Sequence, residues 1–194
     1  MNINKPSVDK RQQILEAAET VIAESGFHGL SMQKVAKQAS VAAGTIYCYF
    51  SDKEHLLAEV RLNVTQRIAD AVQAGIEGDE PLKDRYRIMW LNTWNLALSN
   101  KNALSNQVQY DSLPCNTDIE IRAQERQKFH QVHKLFEDGK AQGLFKPIAN
   151  EVLSGLTFEA CVALARKHAW GFYQLDDDAI EAAINASWDA VINH

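Results

Sequence analysis

Cysteine is scarce in this chain, and the three it has, Cys48, Cys115 and Cys161, are odd in number and far apart. That pattern excludes a closed disulfide framework and the paired spacing of a zinc knuckle, and it suits a reducing compartment. Long apolar runs are missing too: none approaches the roughly 18 to 20 residues that a membrane span requires. Met1 to Arg11 is polar and lacks the apolar segment of a secretory signal. No internal repeat and no low-complexity stretch is present. These absences lead us to expect a cytoplasmic protein.

Positive charge is also in deficit, with 20 Lys and Arg against 25 Asp and Glu and a net charge of −5. Taken whole, that argues against nucleic acid, but whole-chain charge misleads when a small binding module is fused to a larger acidic one. Residues 1 to 60 set Lys5, Lys10, Arg11, Lys34, Lys37 and Lys53 against Asp9, Glu16, Glu19, Glu24, Asp52, Glu54 and Glu59. Placement must therefore do what total charge does not. The N-terminal arm, the Lys34–Lys37 helix and Lys53 can each reach a phosphate.

What the chain does have is a hydrophobic fraction of 46% in 194 residues, enough for a real core. That length fits one compact domain, or a small module fused to a larger one. Nearly every segment reads with a helical period, and no alternating strand is evident. The first helix spans Val8 to Ser25, with Ile14, Leu15, Ala18, Val21 and Ile22 on one stripe and Gly26 as its stop. A second helix over Ser31 to Ala39 begins at an N-capping serine, and a third covers Ala43 to Phe50. Ser51-Asp52-Lys53-Glu54 has the form of a capping box with Ser51 at the cap. The helix beyond it runs to Ile76, about 25 residues and nearly 40 Å at 1.5 Å per residue. Pro81 to Ser99 is apolar around much of its middle, which suggests an enclosed helix. Further helices are expected at Ala103 to Tyr110, Thr117 to Gln142, Asn150 to Tyr173 and Asp177 to Ile192.

The segment from Ser31 to Leu57 carries the chemistry. A recognition helix in a major groove needs short side chains near the bases, and Ala42, Ala43 and Gly44 permit that approach. Thr45 offers a methyl and a hydroxyl to a base edge. Tyr47 and Tyr49 have the reach to hold phosphates, which sets register without reading sequence. Lys53, at a helix N-terminus, adds its charge to the backbone dipole. Gln33 can bond adenine or a phosphate. A buried helical hairpin would have little reason to place these residues on an outward face flanked by lysines.

Residues 10 to 57, above all Gly26-Phe27, Ser31, Val35-Ala36, Gly44-Thr45-Ile46-Tyr47, Tyr49-Phe50 and Lys53-Glu54-His55-Leu56-Leu57, resemble the DNA-binding domain of the TetR family of transcriptional regulators. The resemblance covers about a quarter of the chain, and Cys48 departs from it, since the family often has a larger polar or aromatic residue there. It implies an all-α homodimer: a three-helix helix-turn-helix domain (1–55, joined through a long helix over 52–76), then a larger helical effector-binding and dimerisation domain (56–194). It also implies that Ser31, Gln33, Thr45, Tyr47, Tyr49 and Lys53 touch DNA; Lys34, Ala43 and Gly44 complete the candidate face. The partners expected are a palindromic double-stranded operator, a small-molecule effector and a second copy of the chain. The mechanism implied is repression, relieved when an effector shifts the long helix and with it the spacing of the two heads.

Beyond Pro81 the residues are less explicit. Tyr86, Trp90 and Trp94 form an i, i+4, i+8 stripe that either lines an apolar cavity or packs a core. Phe129, His133 and Phe136 on a later helix are candidates for the same space, with Tyr110 and Cys115 near the intervening loop. His130 and His133 have a metal-compatible spacing but no completing ligand in sequence, so neither metal nor cofactor is expected. The last two helices place Leu156, Ala165 and Ala169 on one and Ile180, Ile184, Ser187, Trp188 and Val191 on the other. In the resembled family such a pair meets its symmetry mate; otherwise it closes the monomer core. No nucleophile elbow, phosphate-binding glycine loop or zinc-protease helix occurs. Cys115 with His130 or His133 is the only thiol–imidazole pair worth naming, so an enzyme is not expected. A helical nucleoid-type protein that binds DNA without an effector is the third reading.

Overall fold

The computed structural model describes residues 9–76, 78, 80–99 and 119–193. These residues are helical, apart from connecting turns and one isolated antiparallel bridge between Phe145 and Ile192. None of their helices is long and apolar enough to cross a membrane. The expected helix at Ala103 to Tyr110 lies outside them. The chain divides into two compact units, Met1–Thr65 with Ser105–Gln124 and Gln66–Leu104 with Glu125–His194.

In the first unit, α1 (Lys10–Gly29), α2 (Met32–Gln38), α3 (Ala43–Tyr47) and the start of α4 (Lys53–Val72) enclose one core. Ile14, Leu15, Ala18 and Ile22 of α1 are sealed against Val35, Ile46, Phe50, Leu56 and Val60. Gly26 interrupts α1 with φ 66°, a left-handed conformation that costs glycine little. One more turn then carries the chain to Leu30, which is 2% exposed. The Ser31 side chain accepts the Lys34 N–H and caps α2. α2 is tied back to α1 by Gln13, whose amide donates to the Ala39 carbonyl at 2.8 Å.

Three boundaries differ from the sequence reading: α1, expected to end at Ser25 with Gly26 as its stop, resumes after Gly26 and runs to Gly29. α3 ends at Tyr47, short of Phe50, because Tyr49 and Phe50 both turn back to the Ile46 carbonyl. The cap of α4 is Asp52, not Ser51: the Asp52 carboxylate accepts the His55 N–H at 2.8 Å, and the Ser51 hydroxyl donates to Asp52 at 2.8 Å. A carboxylate outcompetes a hydroxyl for a helix N-terminus because it also meets the positive end of the dipole.

The second unit is built around α5 (Leu82–Ser99), whose Tyr86, Met89 and Trp90 are fully buried. α4 stops at Val72 and not Ile76, since the Asn92 amide takes the carbonyls of Val72 and Ala74 at 3.0 and 2.9 Å. Thr117 to Gln142, expected as one helix, is two in its described part: α6 (Ile119–Lys128) and α7 (His130–Ala141). The Gln73 side chain explains the break. It donates to the Lys128 carbonyl at 2.9 Å and accepts the Gln131 N–H at 2.8 Å, and a side chain inserted in the helical ladder is a recognised cause of a kink.

The next helix is also composite: α8 (Asn150–Ser154), a π-helical turn (Gly155–Glu159) and α9 (Ala160–Ala169), ending before Gly171 at φ 76° and not at Tyr173. α10 (Asp177–Val191) is capped by the Asp176 side chain. Its end is pinned by Lys146 N–H to the Val191 carbonyl at 2.9 Å and Asn193 N–H to the Leu144 carbonyl at 2.8 Å.

Candidate functional site

The helix-turn-helix presents a defined outer face. Within α3 only Ile46 is buried, which commits Ala43, Gly44 and Tyr47 outward. Tyr47 is 57% exposed and Tyr49 39%, while Phe50 between Tyr49 and Ser51 is 1% exposed and anchors the segment. Thr45 is half-buried at the edge of this face, and Lys53 is half-buried at the first turn of α4. Gly44 has open space where a Cβ would stand, so a surface can approach the backbone there. Gln33 and Lys34 are exposed on α2, and Lys34 Nζ is held by the Gly29 carbonyl at 2.7 Å. The Ser31 hydroxyl is spent on its cap at 3.3 Å. The nine sequence-derived DNA candidates therefore lie on the outward side of α2, α3 and the α4 N-terminus, with Ser31 acting structurally as well.

Arg11, one of the cations that the sequence places within reach of phosphate, has a partner inside the chain. Its guanidinium pairs with Glu59 of α4 and sits 5.6 Å from the Phe50 ring centroid. His55 extends this network: its Nδ1 accepts the Ser51 N–H at 3.2 Å and its Nε2 stands 3.8 Å from Glu59. Together these bonds fix the α3–α4 connection against α1.

In the second unit the aromatic stripe of α5 is wholly internal. Trp90 and Trp94 stack with centroids 5.6 Å apart, and Trp94 meets His168 of α9 at 5.4 Å. Tyr86 packs on Trp188 at 5.0 Å and on Phe158 at 5.7 Å, and its hydroxyl pairs with Ser187 at 2.7 Å. Burial raises the Tyr86 phenol above its ordinary range, the Ser187 bond opposing the shift. Phe136 joins this cluster through Phe158 at 6.0 Å, and Phe129 lies partly buried against the same core. His133 instead faces Asn150, at 3.4 Å from its amide. Burial drives the Cys161 thiol upward, so it stays protonated and unreactive. Tyr110 and Cys115 lie outside the described residues, and no cluster of metal-ligating side chains occurs among the described ones.

The residues assigned by sequence to the dimer interface divide. Ala165, Ile184, Trp188 and Val191 are sealed in the chain's own core, because α9 and α10 turn that face toward α5 and its neighbours. Ser187 is half-buried and bonded to Tyr86. Ala169 and Ile180 are half-buried, and Leu156 is 46% exposed beside Val152 at 49%.

With this geometry in view, known proteins decide the family. Residues 81–192 match the family described as "Tetracyclin repressor-like, C-terminal domain", and residues 14–60 match "Bacterial regulatory proteins, tetR family". The chain belongs to the TetR family. An uncharacterised helix-turn-helix-type transcriptional regulator of Haemophilus influenzae is 32% identical over 192 residues, 97% of this chain and 99% of that protein. A TetR-family protein structure from Vibrio parahaemolyticus is 72% identical, with a TM-score of 0.88, covering 96% of this chain and all of the other. A TetR-family regulator from Marinobacter aquaeolei VT8 superimposes with a TM-score of 0.83 at 27% identity, over 95% of this chain and 96% of that one. This TetR-family protein is thus an all-helical transcriptional regulator of the helix-turn-helix type. Regulators of the family bind DNA operators and small-molecule effectors and form dimers.

Sequence reasoning missed three groups in this regulator: Arg11 with Glu59, Gln73 in the α6–α7 break, and the role of Asp52. The last was legible, since aspartate is as good a cap as serine and Ser51-Asp52 offers two frames. The others carry no local signal.

Proposed function

We propose that this regulator is a repressor that binds a palindromic operator as a dimer and releases it when a small molecule enters the second unit. The observation that carries the DNA-binding half is the outward face of α3. A single buried residue, Ile46, orients the helix so that Ala43, Gly44, Thr45, Tyr47 and Tyr49 line one exposed strip beside Lys53, Gln33, Lys34 and Ser31. Thr45 reads a base edge, the tyrosines and Lys53 hold phosphates, and Ala43 and Gly44 allow close approach. Residues 1–55 form the DNA-binding domain and 56–194 the regulatory domain, with α4 contributing to both.

Tyr86, Trp90 and Trp94, with Phe129, His133 and Phe136, are the effector-responsive side chains. The burial of Tyr86, Trp90, Trp94 and Phe136 supports this: an effector entering there must repack α5 against α7 and α9, and the energy of that repacking can couple to α4. The dimer forms through the open side of the last helices, where Val152 is 49% and Leu156 46% exposed. Ala165, Ile184, Ser187, Trp188 and Val191 brace that surface from within. The test is binding to DNA flanking the protein's own gene against random DNA of equal length and salt. Strong preference for one short inverted repeat supports the reading; equal affinity for both fragments would replace it with a nucleoid-type protein.

A further inference from the structure

Trp90 is fully enclosed on α5, and its Nε1–H has no acceptor. A buried donor left unpaired is rare, because its desolvation goes uncompensated. Polar side chains on the surrounding helices are engaged elsewhere. The Thr93 hydroxyl donates to the Met89 carbonyl at 2.8 Å and the Thr157 hydroxyl to the Leu153 carbonyl at 2.7 Å. Cys161 Sγ is directed at the Trp90 carbonyl at 3.6 Å, and Tyr86 is paired with Ser187.

Beside Trp94 lies the half-buried His168. Its Nδ1 accepts the Leu175 N–H at 3.1 Å, so in the neutral ring the proton resides on Nε2. The group left open at the Trp90–Trp94 stack is therefore the Trp90 indole N–H donor, in an apolar enclosure. The helix packed against this part of α5 also leaves the α-helical register, at the π turn Gly155–Glu159, which directs Thr157 and Phe158 inward. Such turns recur where a helix serves a function beyond packing.

Resting on the reading of this region as the effector site, we propose that the effector is an apolar molecule bearing a hydrogen-bond-accepting oxygen, a carbonyl or a carboxylate, and that the Trp90 indole N–H orients it. A site that offers an N–H rejects an isostere without the oxygen, because the donor stays unpaired in the complex.

The full-length protein has four tryptophans, hence four indole N–H signals in a 15N spectrum. Acetophenone, phenylacetate and ethylbenzene are the probes, matched in size and differing in the oxygen. The expected result is a downfield shift of the Trp90 signal with an oxygen-bearing probe, binding about tenfold more tightly than ethylbenzene. Phenylacetate exceeding acetophenone identifies a carboxylate, and the reverse order a carbonyl. Trp90→Phe should abolish the preference for the oxygen-bearing probes over ethylbenzene. The wild-type signal alone decides the matter should that variant fail to fold. A Trp90 signal that no probe moves, or equal affinity for all three, overturns the inference. Release of operator DNA by a probe that leaves Trp90 unmoved would overturn it while sustaining the effector reading.

Discussion

Thr45 and Lys53 engage DNA differently in the proposed docking, and the difference is measurable. Lys53 meets phosphate, so Lys53→Ala should weaken binding to every sequence and lower the slope of log affinity against log salt by about 1. Thr45 meets a base edge, so Thr45→Ala should leave that slope alone and relax preference at one operator position by roughly 1 kcal/mol. Fluorescence anisotropy over a salt series separates them; identical profiles for both variants would defeat the docking. Asp52 supplies a pH test at the same scale. The His55 backbone N–H, then the Ser51 hydroxyl, hold its carboxyl below the ordinary aspartate range. A depressed folded-state pKa gives stability that is present above the unfolded value and lost as pH falls through the folded one. Asp52→Asn keeps a capping side chain without the charge. Wild type should therefore lose its advantage over Asp52→Asn in urea midpoint as pH is lowered below about 4, and a constant difference would show that the charge of the cap contributes nothing.

Helices in the second unit meet through contacts that no single helix announces. Gly139 of α7 is the tightest. A Cβ there would stand 2.3 Å from the Phe145 ring, which is itself wedged between Phe136 at 6.2 Å and Trp188 at 5.2 Å. Alanine would normally favour a helix interior over glycine by about 1 kcal/mol. Here the clash wins, and Gly139→Ala should destabilise by roughly 1–3 kcal/mol in urea unfolding; a stabilised variant would show that Phe145 can move. Gln73 governs the α6–α7 break. Gln73→Ala leaves the Lys128 carbonyl and the Gln131 N–H without their partner, so exchange of the Gln131 amide should accelerate. Unchanged protection there would mean that the break owes nothing to Gln73. The periodicity of Thr117 to Gln142 could not reveal this, because the interrupting side chain comes from a residue 58 positions away.

For the whole molecule the decisive property is association. In the proposed docking two heads enter successive major grooves, and a two-fold dimer is what supplies that spacing. Leu156→Glu, on the exposed side of the last helices, should shift sedimentation toward monomer at micromolar concentration and cost most of the operator affinity. A wild-type protein that sediments as a strict monomer there would sink the dimer. Residues 1 to 60 carry six Lys and Arg against seven Asp and Glu, so in the proposed docking placement and pairing of the heads, not total charge, supply the affinity.

The sequence alone determined the family, the all-helical class, and the outward face of α3. These rest on local physics: a 3.6-residue apolar period, capping side chains within three residues of their targets, and small residues clustered on one short segment. The tertiary structure decided which polar groups remain available. It paired Arg11 with Glu59, sealed Trp188 and Ile184 inside one chain, and left the Trp90 indole N–H without an acceptor. Each of these depends on which helices meet and on the atoms facing each other across the seam, and spacing along one helix carries no record of that.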